Sequence, residues 1–223
     1  MAKKRGMAHS TSPQLDRLLA GYNRFREQSW TPNRDRWADL REGQEPEIMI
    51  IACSDSRVDP AQIFDVDPGE VFVVRNVAAM VPPFETAPGH HGVSAALEFA
   101  VQVLKVKEIV VMGHGMCGGC KAALTQELHG CEPGEGGFVA DWIALLDDAR
   151  APIALALGTE GRTAERAMEQ AAVKVSLANL RTFPCIRRKE ASGELALRGA
   201  FFAISDGVLH VLDESDGQFH AAS

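Results

Sequence analysis

Residues 47–57 read EIMIIACSDSR and residues 108–120 read EIVVMGHGMCGGC. Each stretch is a short apolar run that leads directly into a turn rich in cysteine, histidine or charged side chains. A continuous apolar run of this length is typical of a strand buried on both faces of a parallel sheet. A third run, VFVVR, follows a DPG turn signal at residues 67–69. We therefore predict strands at 47–52, 71–75 and 108–112.

Stretches with apolar residues at helical spacing separate these strands. We predict helices at 92–106, 121–128, 139–157 and 163–183, and two further strands at 195–202 and 207–212. Strands that alternate with helices favour an α/β fold, here a single domain with a central, mainly parallel sheet flanked by helices.

The first 42 residues differ from the rest of the chain. Residues 1–12 are basic and then small and polar, and we predict a flexible tail there. Residues 13–42 are predicted to form a helical arm that breaks at Thr31-Pro32. The predicted domain spans residues 13–223, arm included. Such an arm packs either on a partner subunit or on the surface of its own chain. Its apolar stripe consists of Leu15, Leu18, Leu19, Tyr22 and Phe25.

Composition excludes several classes of protein. The 223 residues include 23 Lys and Arg against 30 Asp and Glu, a net charge of −7 that argues against a nucleic-acid partner. No apolar run approaches the roughly 20 residues of a membrane helix, and the basic start lacks the apolar region of a secretory signal. Five cysteines in such a chain point to metal or thiol chemistry rather than to disulfides. We expect a cytoplasmic protein with no membrane partner.

The predicted strand ends bring together a set of zinc ligands. Because the carboxyl ends of neighbouring parallel strands meet at one edge, Cys53 is expected beside His114 and Cys117. Thiolate and imidazole are ligands that zinc prefers, and a catalytic site uses three of them. The surrounding glycines are expected to let the backbone bend and to leave space beside the metal. A lone cysteine or histidine would be interpreted as a core residue, but two such clusters at strand ends favour a metal site.

Two charged residues accompany the first cysteine. Asp55 could ligate zinc itself or accept a hydrogen bond from a metal-bound water. Arg57 could hold Asp55 through a charge-assisted pair and lower its pKa. The alternative interpretation is a plain surface ion pair.

Three motifs, CSDSR at 53–57, PGEVFVVRN at 68–76 and GHGMCGG at 113–119, together resemble the β-class carbonic anhydrases. The resemblance continues more loosely through SLANLRTFP at 176–184 and ELALRGAFF at 194–202. It implies a sheet-based fold that forms a homodimer or a larger homo-oligomer, with the N-terminal helical arm exchanged between subunits.

The resemblance also implies a reaction and the residues that perform it. The expected reaction is the zinc-dependent, reversible hydration of carbon dioxide to bicarbonate and a proton by a zinc-bound hydroxide. One Zn²⁺ per subunit would be held by Cys53, His114 and Cys117. Asp55 and Arg57 would act beside it as a catalytic dyad.

Within that family the sequence is similar to the plant-like site type. Gln44, Phe72, Phe99 and Gly118 fall on the positions that line the substrate pocket, although Phe99 stands where a tyrosine is more common. Ile50 stands where the other type, which has a regulatory bicarbonate site, carries tryptophan. We therefore expect less pronounced inhibition by bicarbonate.

Other interpretations remain open at this stage. Cys117 and Cys120 form a C-x-x-C pattern that suits a redox motif, and the family usually has an aliphatic residue at the second position. The same zinc could hydrolyse COS or CS₂, or could be purely structural. His90 and His91 are either a proton relay or solvated residues at a helix start. Cys131 and Cys185 do not lie at metal-ligand spacing.

Overall fold

The computed structural model of the chain describes residues 12–222. The flexible tail predicted for residues 1–12 lies outside the described residues, except for Ser12. The chain divides into two compact units, the first ending at Gln44 and the second beginning at Glu45. The assignment of residues 13–223 to a single domain stays a prediction.

The first unit is helical, as predicted for the arm. Helix α1 (Pro13–Phe25) is capped by the Ser12 hydroxyl, which accepts a hydrogen bond from the Leu15 N–H at 3.3 Å. The helix continues as a wider turn over Arg26–Trp30, and α2 (Arg34–Glu42) follows after a turn at residues 31–33. The predicted break at Thr31-Pro32 is therefore confirmed. All five apolar side chains of the predicted stripe in α1 are exposed.

The second unit is built on a mixed sheet. Its strands are β1 (Ile48–Cys53), β2 (Val71–Asn76), β3 (Glu108–His114), β4 (Ala196–Ala203), β5 (Val208–Asp213) and β6 (Gln218–Ala221). They lie in the order β2-β1-β3-β4-β5-β6. The first four strands in this order pair in parallel and the last two pair antiparallel. The predicted α/β fold with a mainly parallel sheet is confirmed, and β6 is a strand that the sequence pattern did not reveal.

Helices connect the four parallel strands of this sheet, whereas turns join β4 to β5 and β5 to β6. These helices are α3 (Pro60–Ile63), α4 (Gly92–Glu98), α5 (Gly118–Thr125), α6 (Gly137–Ile143), α7 (Asp147–Leu157), α8 (Arg162–Leu180) and α9 (Pro184–Ser192). A wider turn over Phe99–Leu104 extends α4, and a 3-10 turn over Ala144–Leu146 joins α6 to α7. Three of the four predicted helices are present as α4, α5 and α8, whereas the helix predicted at 139–157 is divided into α6 and α7 by the 3-10 turn, and α3 and α9 are additional. Among the helices of residues 12–222, none is long and apolar enough to cross a membrane.

Burial on both faces explains why β1 is apolar throughout. Met49 and Ile51 lie in one buried cluster with residues of the α4 extension and α8, whereas Ile50 and Ala52 lie in a second cluster with Met112. Successive side chains of a strand point to opposite faces, so both faces must be apolar. Each large aliphatic side chain buried in this way contributes about 1.5–3 kcal/mol. That burial favours the position of β1 inside the sheet, between β2 and β3.

The register of the sheet aligns the two motif-bearing turns. Ala52 of β1 pairs with Met112 of β3, so Cys53 and His114 leave the sheet at the same edge. Gly113 lets α8 approach this edge, because a Cβ there would lie 2.6 Å from Cγ2 of Val173. The end of β3 is thus fixed by close packing against α8.

Substitution of Gly113 tests this packing. We expect Gly113→Ala to lower the free energy of unfolding by about 1–3 kcal/mol, because the added methyl group overpacks the contact with Val173. Gly92→Ala is the matched control, since a Cβ at Gly92 has no neighbour within 4 Å. Thermal melts of both metal-free variants would measure the difference, and equal melting temperatures would contradict the packing argument.

Candidate metal centre

The structure brings Cys53, His114 and Cys117 together at the edge of the sheet. Their potential ligand atoms all lie within 4.8 Å of one another, and the two sulfur atoms are 4.0 Å apart. The three residues are only 6%, 1% and 3% exposed. Both cysteines belong to an apolar cluster that includes Val58 and Met80. The convergence expected from the strand ends is therefore confirmed.

This donor set fits zinc. Two zinc–sulfur bonds of about 2.3 Å at a tetrahedral angle separate the sulfur atoms by roughly 3.8 Å, close to the distance observed. Nδ1 of His114 lies 2.9 Å from the Gly115 carbonyl oxygen, and when it donates there Nε2 keeps its lone pair. Nε2 is buried and has no hydrogen-bond partner among the described residues. A metal ion would satisfy this nitrogen, which is otherwise unfavourable to bury.

A second group of potential ligands differs from this one in burial and chemistry. Asp213, Asp216 and His220 lie close together on the surface. Nε2 of His220 is already 2.8 Å from a carboxylate oxygen of Asp216. Because exposed acidic groups of this kind are common without a metal, we do not assign a metal site to these three residues.

The two thiols are strongly protonated when no metal is bound. Hydrogen bonding with Cys117 and burial raise the pKa of Cys53 to about 12. Hydrogen bonding with Cys120 raises the pKa of Cys117 to about 12 as well. A redox C-x-x-C motif has the opposite character, since its nucleophilic cysteine has a lowered pKa. The environment of Cys117 therefore argues against the redox interpretation.

In the turn between β3 and α5, Met116 adopts the left-handed conformation, with a φ of 58°. None of Gly113, Gly115, Gly118 and Gly119 adopts the left-handed conformation, so their role in bending the backbone stays a prediction. Gly119 permits close packing, since a Cβ there would lie 2.7 Å from Cγ1 of Val77. Gly118 borders open space, with nothing within 4 Å of its Cβ position.

Asp55 and Arg57 form the predicted pair beside the three ligands. Oδ1 of Asp55 accepts hydrogen bonds from the backbone N–H and Nε of Arg57, both at 2.9 Å, and Oδ2 accepts one from Nη2 at 2.7 Å. Oδ2 also lies 4.0 Å from Nε2 of His114. Hydrogen bonding to the guanidinium holds the pKa of Asp55 well below its usual range. The carboxylate is therefore ionised and faces the metal ligands.

Arg75 supports the turn that follows β1, at residues 53–57. Its role was not predicted from the sequence. Its guanidinium donates to the carbonyl oxygen of Cys53 at 2.8 Å and to that of Asp55 at 2.6 Å. It also pairs with Asp59 at 3.0 Å. In the sequence, the only sign of this role is that Arg75 follows the apolar residues of β2.

Glu169 contacts the turn that follows β3, at residues 114–118. Its role was also not predicted from the sequence. Its Oε1 accepts a hydrogen bond from the backbone N–H of Cys117 at 3.3 Å and lies 3.5 Å from Nη1 of Arg162. Burial raises the pKa of this carboxyl group. The available signal was an acidic residue within the apolar stripe of α8, beside Met168 and Ala172.

The predicted substrate residues are distributed over both units. The rings of Phe72 and Phe99 lie against each other with centroids 5.9 Å apart, and Phe99 remains 43% exposed. Gly118 begins α5 directly after Cys117. Gln44 is the last residue of the first unit. The roles of these four residues toward the substrate stay predictions.

Comparison with known proteins identifies the family. The carbonic anhydrase family model matches residues 48–209, which include both motif-bearing turns. The chain is 35% identical to beta carbonic anhydrase 3 of Arabidopsis thaliana over 196 residues, which cover 86% of this chain and 74% of that protein. The chain belongs to the β-class carbonic anhydrases.

Solved structures of β-carbonic anhydrases have the same fold. The structure of the β-carbonic anhydrase CcaA is similar to this chain with a TM-score of 0.86 and 32% identity, covering 94% of this chain and all of that one. A tetrameric β-carbonic anhydrase from Sordaria macrospora gives a TM-score of 0.77 at 28% identity, with 90% and 98% of the two chains covered. Like its family, the chain is a zinc-dependent enzyme that reversibly hydrates carbon dioxide to bicarbonate and a proton.

The raised thiol pKa values predict how zinc binding depends on pH. Because both thiols are protonated near neutral pH and must ionise to ligate zinc, we expect the thiols to release two protons per zinc, and ionisation of a zinc-bound water would add to this count as the pH rises. Zinc affinity should then rise by at least about 100-fold per pH unit in this range. More protons should be released at lower pH, because burial lowers the pKa of His114 but its neighbours Cys53, Gly115 and Asp55 together outweigh burial and raise that pKa.

Calorimetric titration of the metal-free enzyme in buffers of different ionisation enthalpy would count these protons. Cys131→Ser is the matched control, because it removes a thiol outside the cluster and should leave the count unchanged. Release of fewer than one proton by the unsubstituted enzyme would contradict the protonated state of the thiols.

Proposed function

We propose that Cys53, His114 and Cys117 hold the catalytic zinc of this carbonic anhydrase, one ion per subunit. The observation that carries the proposal is their buried convergence, with ligand atoms within 4.8 Å of one another. Two thiolates and a neutral imidazole offset the charge of the ion, which makes its burial favourable. When bound, zinc acts as a Lewis acid that lowers the pKa of water toward neutrality, as is established for other carbonic anhydrases.

Asp55 and Arg57 are proposed to orient the reacting water. An ionised carboxylate can only accept hydrogen bonds, so Oδ2 of Asp55 would accept a hydrogen bond from the reacting water and thereby direct an oxygen lone pair toward carbon dioxide. Three hydrogen bonds from Arg57 support this role, because they keep the carboxylate ionised and fixed. Arg57 also donates to the carbonyl oxygen of Met116 at 3.0 Å, which ties the dyad to the Cys117 turn.

Carbon dioxide is proposed to bind beside this dyad in a plant-like pocket. Phe72 and Phe99 would supply an apolar wall, which suits an uncharged substrate, and their mutual contact supports this role. Since Phe99 carries no hydroxyl group, its part is confined to packing. The Gly118 N–H would orient an oxygen atom of bicarbonate as charge develops on it. The open space at Gly118 supports access of the substrate to its amide.

We further propose a cytoplasmic homo-oligomer. The exposed apolar stripe of α1 favours a second subunit, because contiguous apolar surface of this kind marks an interaction site. The tetrameric relatives from Sordaria macrospora support the same interpretation. All five cysteines are free thiols, which favours a reducing compartment.

Removal of the Asp55 charge tests the dyad. We expect Asp55→Asn to retain zinc, because Asp55 is not one of the proposed ligands, and to lower kcat about 100-fold through loss of the acceptor that orients water. Stopped-flow measurement of carbon dioxide hydration, with zinc quantified in the same sample and with a chelator-treated reference, would report both properties.

The matched control for this variant is Asp65→Asn. It removes one negative charge from an exposed residue of the same segment, in a left-handed conformation that asparagine tolerates. The control should turn over at the unsubstituted rate. Unchanged turnover in Asp55→Asn would remove Asp55 from the mechanism, whereas loss of zinc would make it a metal-holding residue.

The pH dependence of turnover follows from the same electrostatics. The Asp55 pKa lies well below its usual range, so this carboxylate loses its charge only in strong acid and adds no inflection near neutrality. Activity should therefore rise with pH through roughly 7–8.5, the range in which zinc promotes the ionisation of water. A rate that is flat from about pH 6 to 9 would contradict this.

A further inference from the structure

We propose that Glu169 is a positioning residue, which holds the Met116–Cys117 peptide group in the orientation that presents the Cys117 thiol to the metal. The inference rests on the proposed zinc ligands and adds a residue from a different part of the chain, 52 positions after Cys117.

Glu169 contacts the turn from the side of α8. Its Oε1 accepts a hydrogen bond from the Cys117 N–H at 3.3 Å. The side chain is only 2% exposed, and its Oε2 has no hydrogen-bond partner among the described residues. A buried carboxylate is unfavourable unless its hydrogen bonds compensate for lost hydration.

The peptide group between Met116 and Cys117 is held at both ends. Its carbonyl oxygen accepts a hydrogen bond from Nη2 of Arg57 at 3.0 Å, and its N–H donates to Glu169. The carbonyl and the N–H of a trans peptide point in opposite directions. Arg57 and Glu169 therefore resist its rotation from opposite sides.

This restraint matters because the turn is strained. Met116 has a φ of 58°, and the left-handed region is unfavourable for a residue with a side chain. If the peptide group rotated toward a relaxed conformation, the Cα–Cβ bond of Cys117 would turn with it. The sulfur atom would then leave the position 4.0 Å from that of Cys53.

The surroundings of Glu169 do not otherwise require a carboxylate. Its neighbours in the buried stripe of α8 include Met168, Ala172 and Val173. Arg162 lies 3.5 Å away and is more than half exposed, so this contact with the carboxylate is loose. A cavity of about 250 Å³, lined in part by Lys121 and Glu165, adjoins the site and gives room for other side chains at position 169.

Three substitutions separate the hydrogen bond from charge and volume. Glu169→Leu keeps most of the volume and removes the acceptor. Glu169→Asp keeps the charge and withdraws the carboxylate by one methylene group. Glu169→Gln keeps an oxygen acceptor at the same distance from the backbone. Ser176→Ala is the matched control, because Ser176 is a buried polar residue of α8 that bonds to Val81 and Ala79 instead.

Zinc affinity is the primary measurement, made on folded full-length enzyme by competition with a chromophoric chelator. We expect a loss of about 10–100-fold in Glu169→Leu and Glu169→Asp, as is usual when a group that orients a metal ligand is removed. Glu169→Gln and Ser176→Ala should remain within about threefold of the unsubstituted enzyme. The cobalt-substituted Leu and Asp variants should also have weaker thiolate charge-transfer absorption, because one sulfur is displaced.

Unchanged zinc affinity in both Glu169→Leu and Glu169→Asp would overturn the inference. Equal loss in Glu169→Gln and Glu169→Leu would overturn it too, because Gln retains the acceptor. Glu169→Asp keeps the test decisive if the Leu variant does not fold. Cys117→Ala distinguishes the two proposals: if it loses zinc while the Glu169 variants do not, only the positioning role fails. Retention of zinc in Cys117→Ala would refute the ligand set itself.

Discussion

The parallel pairing of β1 with β3 is the constraint on which the site depends. It sets Ala52 beside Met112, and from that register Cys53 and His114 emerge at one edge of the sheet although 61 positions separate them. Both strands are buried on two faces that pack against different side chains, so a shift by one residue would exchange these faces and disrupt both buried clusters. The geometry of the metal ligands is therefore a consequence of hydrophobic burial in two strands whose last residues are Cys53 and His114.

Charged residues then fix the two turns that carry the ligands. Arg75 binds carbonyl oxygens of the first turn, while Arg57 and Glu169 bind opposite ends of one peptide group in the second. Arg57 links the turns, because it also binds both carboxylate oxygens of Asp55. Such contacts hold the ligands at the separation that zinc requires before the metal binds, which reduces the reorganisation on binding.

Features that depend on continuous hydrophobic runs or on local motifs were predictable from sequence. The central strands, the convergence of Cys53, His114 and Cys117, and the Asp55–Arg57 pair all followed from strand patterns and from the rule that parallel strands end together. The family follows from the same motifs, since CSDSR and GHGMCGG lie on these turns. These elements carry strong signals because burial and chemistry coincide in a few consecutive residues.

The missed features depend on tertiary contacts that leave weak local signals. Strand β6 is a short edge strand with a polar sequence, and α9 buries only Ile186, so neither has a clear apolar period. Glu169 could be recognised only as an exception within the apolar stripe of α8, because its partner lies on another element. The left-handed conformation of Met116 has no local sequence signal, because a residue with a side chain adopts it only against the intrinsic preference of the backbone.

X-ray absorption spectroscopy at the zinc edge tests the central claim most directly, because it counts sulfur ligands in the intact enzyme without an assay of turnover. The account predicts two sulfur neighbours at about 2.3 Å and an imidazole nitrogen at about 2.0–2.1 Å. It also predicts that Cys120→Ala leaves this spectrum unchanged. A third sulfur neighbour, or none, would contradict the assignment of Cys53, His114 and Cys117 as the ligand set.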